Sequence, residues 1–152
     1  MQENITIVGP DKGEHLSIAG NKYRILISGK ETQGAYAVID MLVPPGGGPL
    51  PHAHPDMQEM FFVVDGEVEF KTEAGKTAAA KGSFVNIPLG GGVHCFKNNS
   101  DTMAHLLCTV VPAGLDAMFE EVVSLGPSPS KEQILALAEK YGQKVFPPDY
   151  LG

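Results

Sequence analysis

The sequence predicts an all-β domain, a single β-barrel of jelly-roll type followed by two C-terminal helices. Three observations carry this reading. Short apolar runs recur between Gly-, Pro- and Asn-rich turns up to Pro112, which is the pattern of a sandwich or barrel. Asp65-Gly66 stands between the runs EMFFVV and EVEF, and Asp-Gly between apolar runs is a strong hairpin signal. Beyond Pro112 the apolar spacing changes from period two to the helical period.

In chain order, ITIV (5–8) reads as a first short strand and YRILIS (23–28) as a second. AYAVIDMLVP (35–44) is a third, rich enough in β-branched residues to be buried. Gly9-Pro10, Gly20-Asn21 and Gly29-Lys30 punctuate them. EVEF alternates charged and apolar residues, so one of its faces is wet. EAGKTAAAKGS lies between Gly75 and Gly82 and reads as a short strand and turn leading into SFVNIP, despite its alanines. GVHCFKN (92–98) is the next strand, Asn98 to Asp101 a polar turn, and MAHLLCTVV (103–111) the last strand. In LDAMFEEVVSLG (115–126), Leu115, Met118, Phe119 and Val122 share one helix side. Ser130-Lys131-Glu132-Gln133 is a capping box that opens EQILALAEKY, with Gly142 as the residue past its end. Ile134, Leu135, Leu137, Ala138 and Tyr141 form its apolar stripe. Both helices are expected to close the open end of the barrel; a lid or partner surface is the alternative. The tail KVFPPDYLG is extended at its prolines. The expectation is one domain over 1–152, with the barrel at about 4–112 and the helices at about 114–142.

Composition narrows the partners. The chain of 152 residues is 43% hydrophobic and 19% charged, which is globular composition. Its formal net charge is -7 with no basic patch, against binding nucleic acid or an anionic membrane. The first residues carry no charged-then-apolar signal pattern, and no apolar run reaches the ~20 residues of a spanning helix. Cys95 and Cys108 do not form a C-x-x-C pair and read as buried reduced thiols in a cytoplasmic protein.

The chemistry concentrates in GGGPLPHAHPDMQEMFFVVDG, from Gly46 to Gly66. Pro51 and Pro55 bias the residues before them toward extended backbone, and in a strand residues i and i+2 share a face. His52 and His54 can therefore reach one point, with Glu59 supplied by the strand that follows. Neutral imidazoles and a carboxylate are the ligands that divalent transition metals accept most readily. If Glu59 faces inward, Phe61 and Val63 do too, and Met41 or Leu42 joins them from the preceding strand.

The spacing Gly46-x5-His52-x-His54-x4-Glu59-x6-Gly66 resembles the first signature motif of the cupin superfamily. Gly82-x5-Pro88, followed by Gly90, Gly91, His94 and Asn98, resembles the second motif, with one extra glycine before the histidine. The resemblance covers roughly the central third of the chain and implies a cupin-type jelly roll. It also implies one divalent transition metal per chain (Fe, Mn, Ni, Zn, Co or Cu) on His52, His54, Glu59 and His94. His94 in turn brings Phe96 inward and sends Cys95 outward, so that Phe61, Val63 and Phe96 are the expected walls of a substrate pocket. His15 and His105 stand in no metal spacing.

The likeness to small single-domain bacterial cupins, including quercetinase-like ones, suggests a metal-dependent dioxygenase. Its substrate would be a small phenolic or hydrophobic molecule, with Glu59 as the catalytic base. A non-catalytic metal- or small-ligand-binding module is the alternative, and a cupin isomerase a third, since one fold hosts many functions. Arg24 is the only arginine, which disfavours an anionic substrate. NITIV and the tail VFPPDYLG are expected to exchange between two copies in a homodimer, because open sheet edges must be covered.

Overall fold

The computed structural model describes residues 4–152. Its strands in chain order are β1 (Glu14–Ile18), β2 (Asn21–Ile27), β3 (Ala37–Val43), β4 (His52–Ala53), β5 (Gln58–Asp65), β6 (Glu67–Thr72), β7 (Gly75–Ala80), β8 (Phe84–Ile87), β9 (His94–Lys97), β10 (Ala104–Val111) and β11 (Lys144–Val145). Helices α1 (Leu115–Ser124) and α2 (Lys131–Lys140) separate the last two. One sheet has the order β1-β2-β3-β10-β5-β8 and the other β11-β4-β9-β6-β7. The pairings are antiparallel, and the two sheets form the expected jelly roll.

Period-two patterning places the core. On β3, Ala37, Ile39, Met41 and Val43 are buried while the residues between them are only half covered. On β10 the same is true of Ala104, Leu106, Cys108 and Val110. The sheets meet through aromatic rings: Phe61 of β5 lies 5.4 Å from Phe70 of β6 and 5.5 Å from Phe96 of β9, centroid to centroid. Each such side chain contributes roughly 1.5–3 kcal/mol by leaving water.

Asp65-Gly66 is not a hairpin. β5 pairs with β10 and β8, whereas β6 pairs with β7 and β9, so the chain changes sheets at this dipeptide. Gly66 has φ 76°, and a Cβ on it would lie 2.9 Å from the Ala104 Cα. The dipeptide sets a sharp corner; the strands' partners come from elsewhere in the chain. A true two-residue hairpin joins β1 to β2 at Ala19-Gly20, both with positive φ as a type I′ turn requires.

That hairpin also displaces the expected first strand. β1 occupies the edge of β2, and ITIV has no strand partner among the described residues; it forms no strand, and Ile5 and Ile7 are each 90% exposed. The sequence reading passed over EHLSI, whose one buried residue is Leu16. The Arg24 guanidinium donates to the carbonyls of Gly9, at 2.9 Å, of Pro10, and of Lys12, at 3.1 Å, and pairs with Asp40 at 3.3 Å. The sole arginine is thereby committed to holding the chain entry.

The tail packs along β4. β11 pairs with β4 of its own chain, Val145 opposite His52, and the Phe146 N–H donates to the Pro51 carbonyl at 2.9 Å. The capping box forms as read, with Gln133 N–H donating to Ser130 Oγ at 3.1 Å and Ser130 N–H to Gln133 Oε1 at 2.8 Å. Only α1 closes the barrel, however. It buries Leu115 and Met118, and its Asp116 carboxylate accepts from the Gly29 and Gly114 N–H groups at 2.8 and 3.0 Å. With α1 over the opening, α2 finds little apolar surface beneath it; Ala138 is buried but Leu135 stays 41% exposed. Among the described residues, no helix is long and apolar enough to cross a membrane.

Candidate metal centre

Two of the four candidate ligands, His52 and His94, lie on paired strands of one sheet, and His54 follows just past the end of β4. β4 and the turn that follows it bring the His52 and His54 rings together, with centroids 4.8 Å apart. His52 on β4 lies directly opposite His94 on β9. Glu59 reaches them from β5 of the facing sheet. All four are buried, and their ligand atoms lie within 4.8 Å of one another. Ligands at roughly 2.0–2.2 Å from one ion span up to about 4.4 Å across it, so the cluster needs only slight contraction to close on a metal.

The backbone selects which nitrogen faces inward. His52 Nδ1–H donates to the Leu50 carbonyl at 2.7 Å and His94 Nδ1–H to the Gly92 carbonyl at 3.0 Å. Each ring then presents its Nε2 lone pair to the centre, the arrangement of metal-ligating histidines. His94 Nε2 lies 3.2 Å and His54 Nε2 3.8 Å from Glu59 Oε1. His54 Nε2 is buried and has no hydrogen-bond partner. Lone pairs converging on a carboxylate require a proton or a cation between them, and the donor set fits a divalent transition metal.

The electrostatics keep the ligands in metal-competent form. Burial, with the neighbouring His94 and His54, pushes the His52 imidazole down to about 4. Burial likewise lowers His54, against the pull of Glu59. For Glu59, burial acts to raise the carboxyl, but the close approach of His94 and the surrounding imidazoles outweigh it and hold the group below the usual carboxylate range. These shifts share one sign: the unfolded chain takes up protons at higher pH than the folded one. Stability of the metal-free protein is therefore full above about pH 6.5 and falls as the pH drops toward 4, by on the order of 3 kcal/mol from His52 alone. Urea unfolding in the presence of chelator should show the midpoint declining across that window. A midpoint independent of pH between 7 and 4.5 would contradict the buried-neutral assignment.

The centre opens into a cavity of about 270 Å³. Phe61 and Phe96 line it as expected, and Met41, not Leu42, joins them. Val63 does not: it is fully buried in the core beyond the cavity wall. Sequence reasoning missed Tyr23 and Asn21 of β2 and Gln143, which leads into β11. Leu115, Met118 and Phe119 were legible as an apolar helix side, but not as a cavity wall. Period two in YRILIS does put Tyr23 and Ile25 on the inner face; nothing local says what Tyr23 meets there. It stacks on Phe119 with centroids 5.2 Å apart, and burial, with the nearby Cys108 and Glu59, raises its hydroxyl above the usual range.

The two thiols differ. Cys108 faces inward and donates to Glu59 Oε2 at 3.5 Å; burial and the carboxylate raise it well above the usual thiol range, so it stays protonated. Cys95 is on the opposite face of β9 from His94 and Phe96, as alternation requires, yet it too is buried. Asn98, the last residue of the second motif, ties loops together. Its Nδ2 donates to the Val43 and Thr102 carbonyls at 2.9 and 2.7 Å, and its backbone exchanges hydrogen bonds with Gly46 and Gly47. His105 pairs with Asp40 and His15 lies against the Asp11 carbonyl, both away from the centre.

Residues 39–110 match the family model described as Cupin domain. No curated protein matches the chain. Among solved structures, the chain is similar to a sugar phosphate isomerase from a cupin superfamily of Silicibacter pomeroyi, at 20% identity and TM-score 0.62 over 70% of this chain and 75% of that one. It is similar to an RmlC-like cupin from Shewanella frigidimarina, at 20% identity and TM-score 0.63 over 77% of this chain and 99% of that one. The polyketide cyclase RemF from Streptomyces resistomycificus gives 16% identity and TM-score 0.63 over 71% of this chain and 80% of that one. At these identities the likeness is one of fold.

Proposed function

This chain is a small cupin-domain protein, and we propose that it holds one divalent transition-metal ion on His52, His54, Glu59 and His94 and acts as a dioxygenase on a small phenolic or hydrophobic molecule. The observation that carries the reading is the convergence of four ligand side chains, three of which, His52, His54 and Glu59, line an apolar cavity of about 270 Å³. A cavity of ~150 Å³ takes benzene, so this one has room for a substituted single ring. An ion bound there supplies a Lewis acid for a substrate oxygen. The protein's own part is positioning and proton transfer. Phe61, Phe96 and Met41 hold the ring, and α1 shields it from water through Leu115 and Met118. Glu59 Oε2 is held only by the weak thiol donor of Cys108, which leaves it the oxygen available to take a substrate hydroxyl proton.

Two similar structures are described as an isomerase and a cyclase. The cavity here is lined by neither lysine nor arginine, which disfavours a phosphorylated substrate. The test is metal analysis of the purified protein, then O₂ uptake across a catechol and flavonol panel. Stoichiometric metal with substrate-dependent uptake supports the proposal. Metal and ligand binding without uptake would turn it into the binding-module reading.

The working unit on this proposal is a homodimer. Phe62 and Phe84 stand opposite each other on the outer side of the six-stranded sheet, 43% and 63% exposed, and at the chain entry Ile5 and Ile7 of ITIV are bare as well. A second copy would cover both features. Sedimentation at micromolar concentration should give a dimer, and Ile5→Asp/Ile7→Asp should shift it toward monomer; a wild type that sediments only as monomer removes the dimer.

A further inference from the structure

Three buried polar atoms lack a hydrogen-bond partner among the described residues: Asn21 Oδ1, His54 Nε2 and Gln143 Oε1. All three belong to residues that line the same cavity. The metal centre accounts for His54. It does not account for the other two, which come from parts of the chain that supply no ligand: Asn21 opens β2 just after the β1–β2 turn, and Gln143 links α2 to β11. Leaving a buried acceptor unpaired costs stability, so such groups are either served by a bound molecule or removed. The Asn21 side chain is 6% exposed, and its Nδ2 is already spent on the Ile18 carbonyl at 3.0 Å. That bond fixes which end of the amide is which, so the end left without a partner is the oxygen.

We propose that Asn21 and Gln143 are specificity-determining residues whose carboxamide oxygens share the single proton of one ligand hydroxyl in a three-centre hydrogen bond, apart from the oxygen that faces the histidines. The proposal rests on the metal-centre reading above and deepens it by naming the substrate class. The ligand is a neutral hydroxylated ring compound, polar at two separate places. Its body meets Tyr23, Met41, Phe61 and Phe96, and its second hydroxyl is read by the two carboxamides. A cavity whose buried acceptors await a donor discriminates against the analogue that lacks it, because binding that analogue seals the acceptors away from water unpaired.

The test uses zinc-loaded protein, which binds without redox turnover, and calorimetric titration of two ligands that differ in one group: 3,4-dihydroxybenzyl alcohol and 4-methylcatechol. Wild type should prefer the alcohol by roughly tenfold. Gln143→Met and Asn21→Ala should each reduce that preference to about twofold or less while leaving the affinity for 4-methylcatechol within about threefold of wild type. Because Asn21 also bonds the turn, thermal unfolding of Asn21→Ala is recorded alongside; Gln143→Met carries no such bond and keeps the proposal testable if the first variant fails to fold. An equal affinity of wild type for both ligands, or an undiminished preference in Gln143→Met and in a folded Asn21→Ala, overturns the proposal. Failure of the metal reading looks different: no zinc is retained. The same pair titrated into the metal-free chain then still decides the matter, a preference that Gln143→Met abolishes supporting the role of the two amides and its absence rejecting it.

Discussion

Metal-loaded Glu59→Gln is expected to turn over phenolic substrate ~10²–10⁴-fold more slowly than wild type while retaining part of its metal. The carboxylate does two things at once. Oε1 faces the His54 and His94 nitrogens at 3.8 and 3.2 Å, and Oε2 faces the Cys108 thiol at 3.5 Å. Glutamine keeps the shape and one oxygen but gives up the charge and nearly all basicity. The charge loss weakens metal binding, and the lost basicity removes the proton acceptor; the two are separable by assaying at saturating metal. Turnover that returns to wild type under saturating metal would leave Glu59 as ligand only. A protein that never consumes O₂ would have no turnover to lose, and the variant would then differ only in metal affinity.

The His52→Ala/His94→Ala double variant is expected to purify essentially without metal and to bind added zinc at least ~10³-fold more weakly. Structural zinc sites contribute about 10–16 kcal/mol over four ligands, so losing two removes several kcal/mol. These two histidines are opposed across β4 and β9, with ring centroids 4.5 Å apart. Their removal leaves His54 and Glu59, too few to enclose an ion. It also removes two imidazoles from a crowded interior, so the β-sheet circular dichroism should persist. Full metal occupancy in the folded double variant would end the assignment.

The ligand set was legible because its geometry is local. The i, i+2 rule and two prolines bring His52 and His54 together, and alternation carries Glu59, Phe61 and Phe96 inward once one of them is placed. What failed was pairing. Asp65-Gly66 was read as a hairpin, since an Asp-Gly turn looks alike whether its strands pair with each other or with distant strands. β1 was passed over because EHLSI buries one leucine, whereas ITIV looks like a strand yet finds no free edge. The cavity wall was the least legible part. Tyr23, Asn21, Gln143 and α1 converge only through tertiary packing, and no spacing in the sequence records it. Val63 shows the complementary error: the correct face of a strand does not say how far along it the cavity reaches.

The pairing of β11 with β4 bears on how the protein is made. β4 is two residues long and is held between β9 on one side and β11 on the other. A growing chain on the ribosome has both motifs in hand long before Lys144 and Val145 emerge. Until then the strand that presents His52 has one neighbour and a bare edge. That edge is covered only once the C-terminal segment reaches β4.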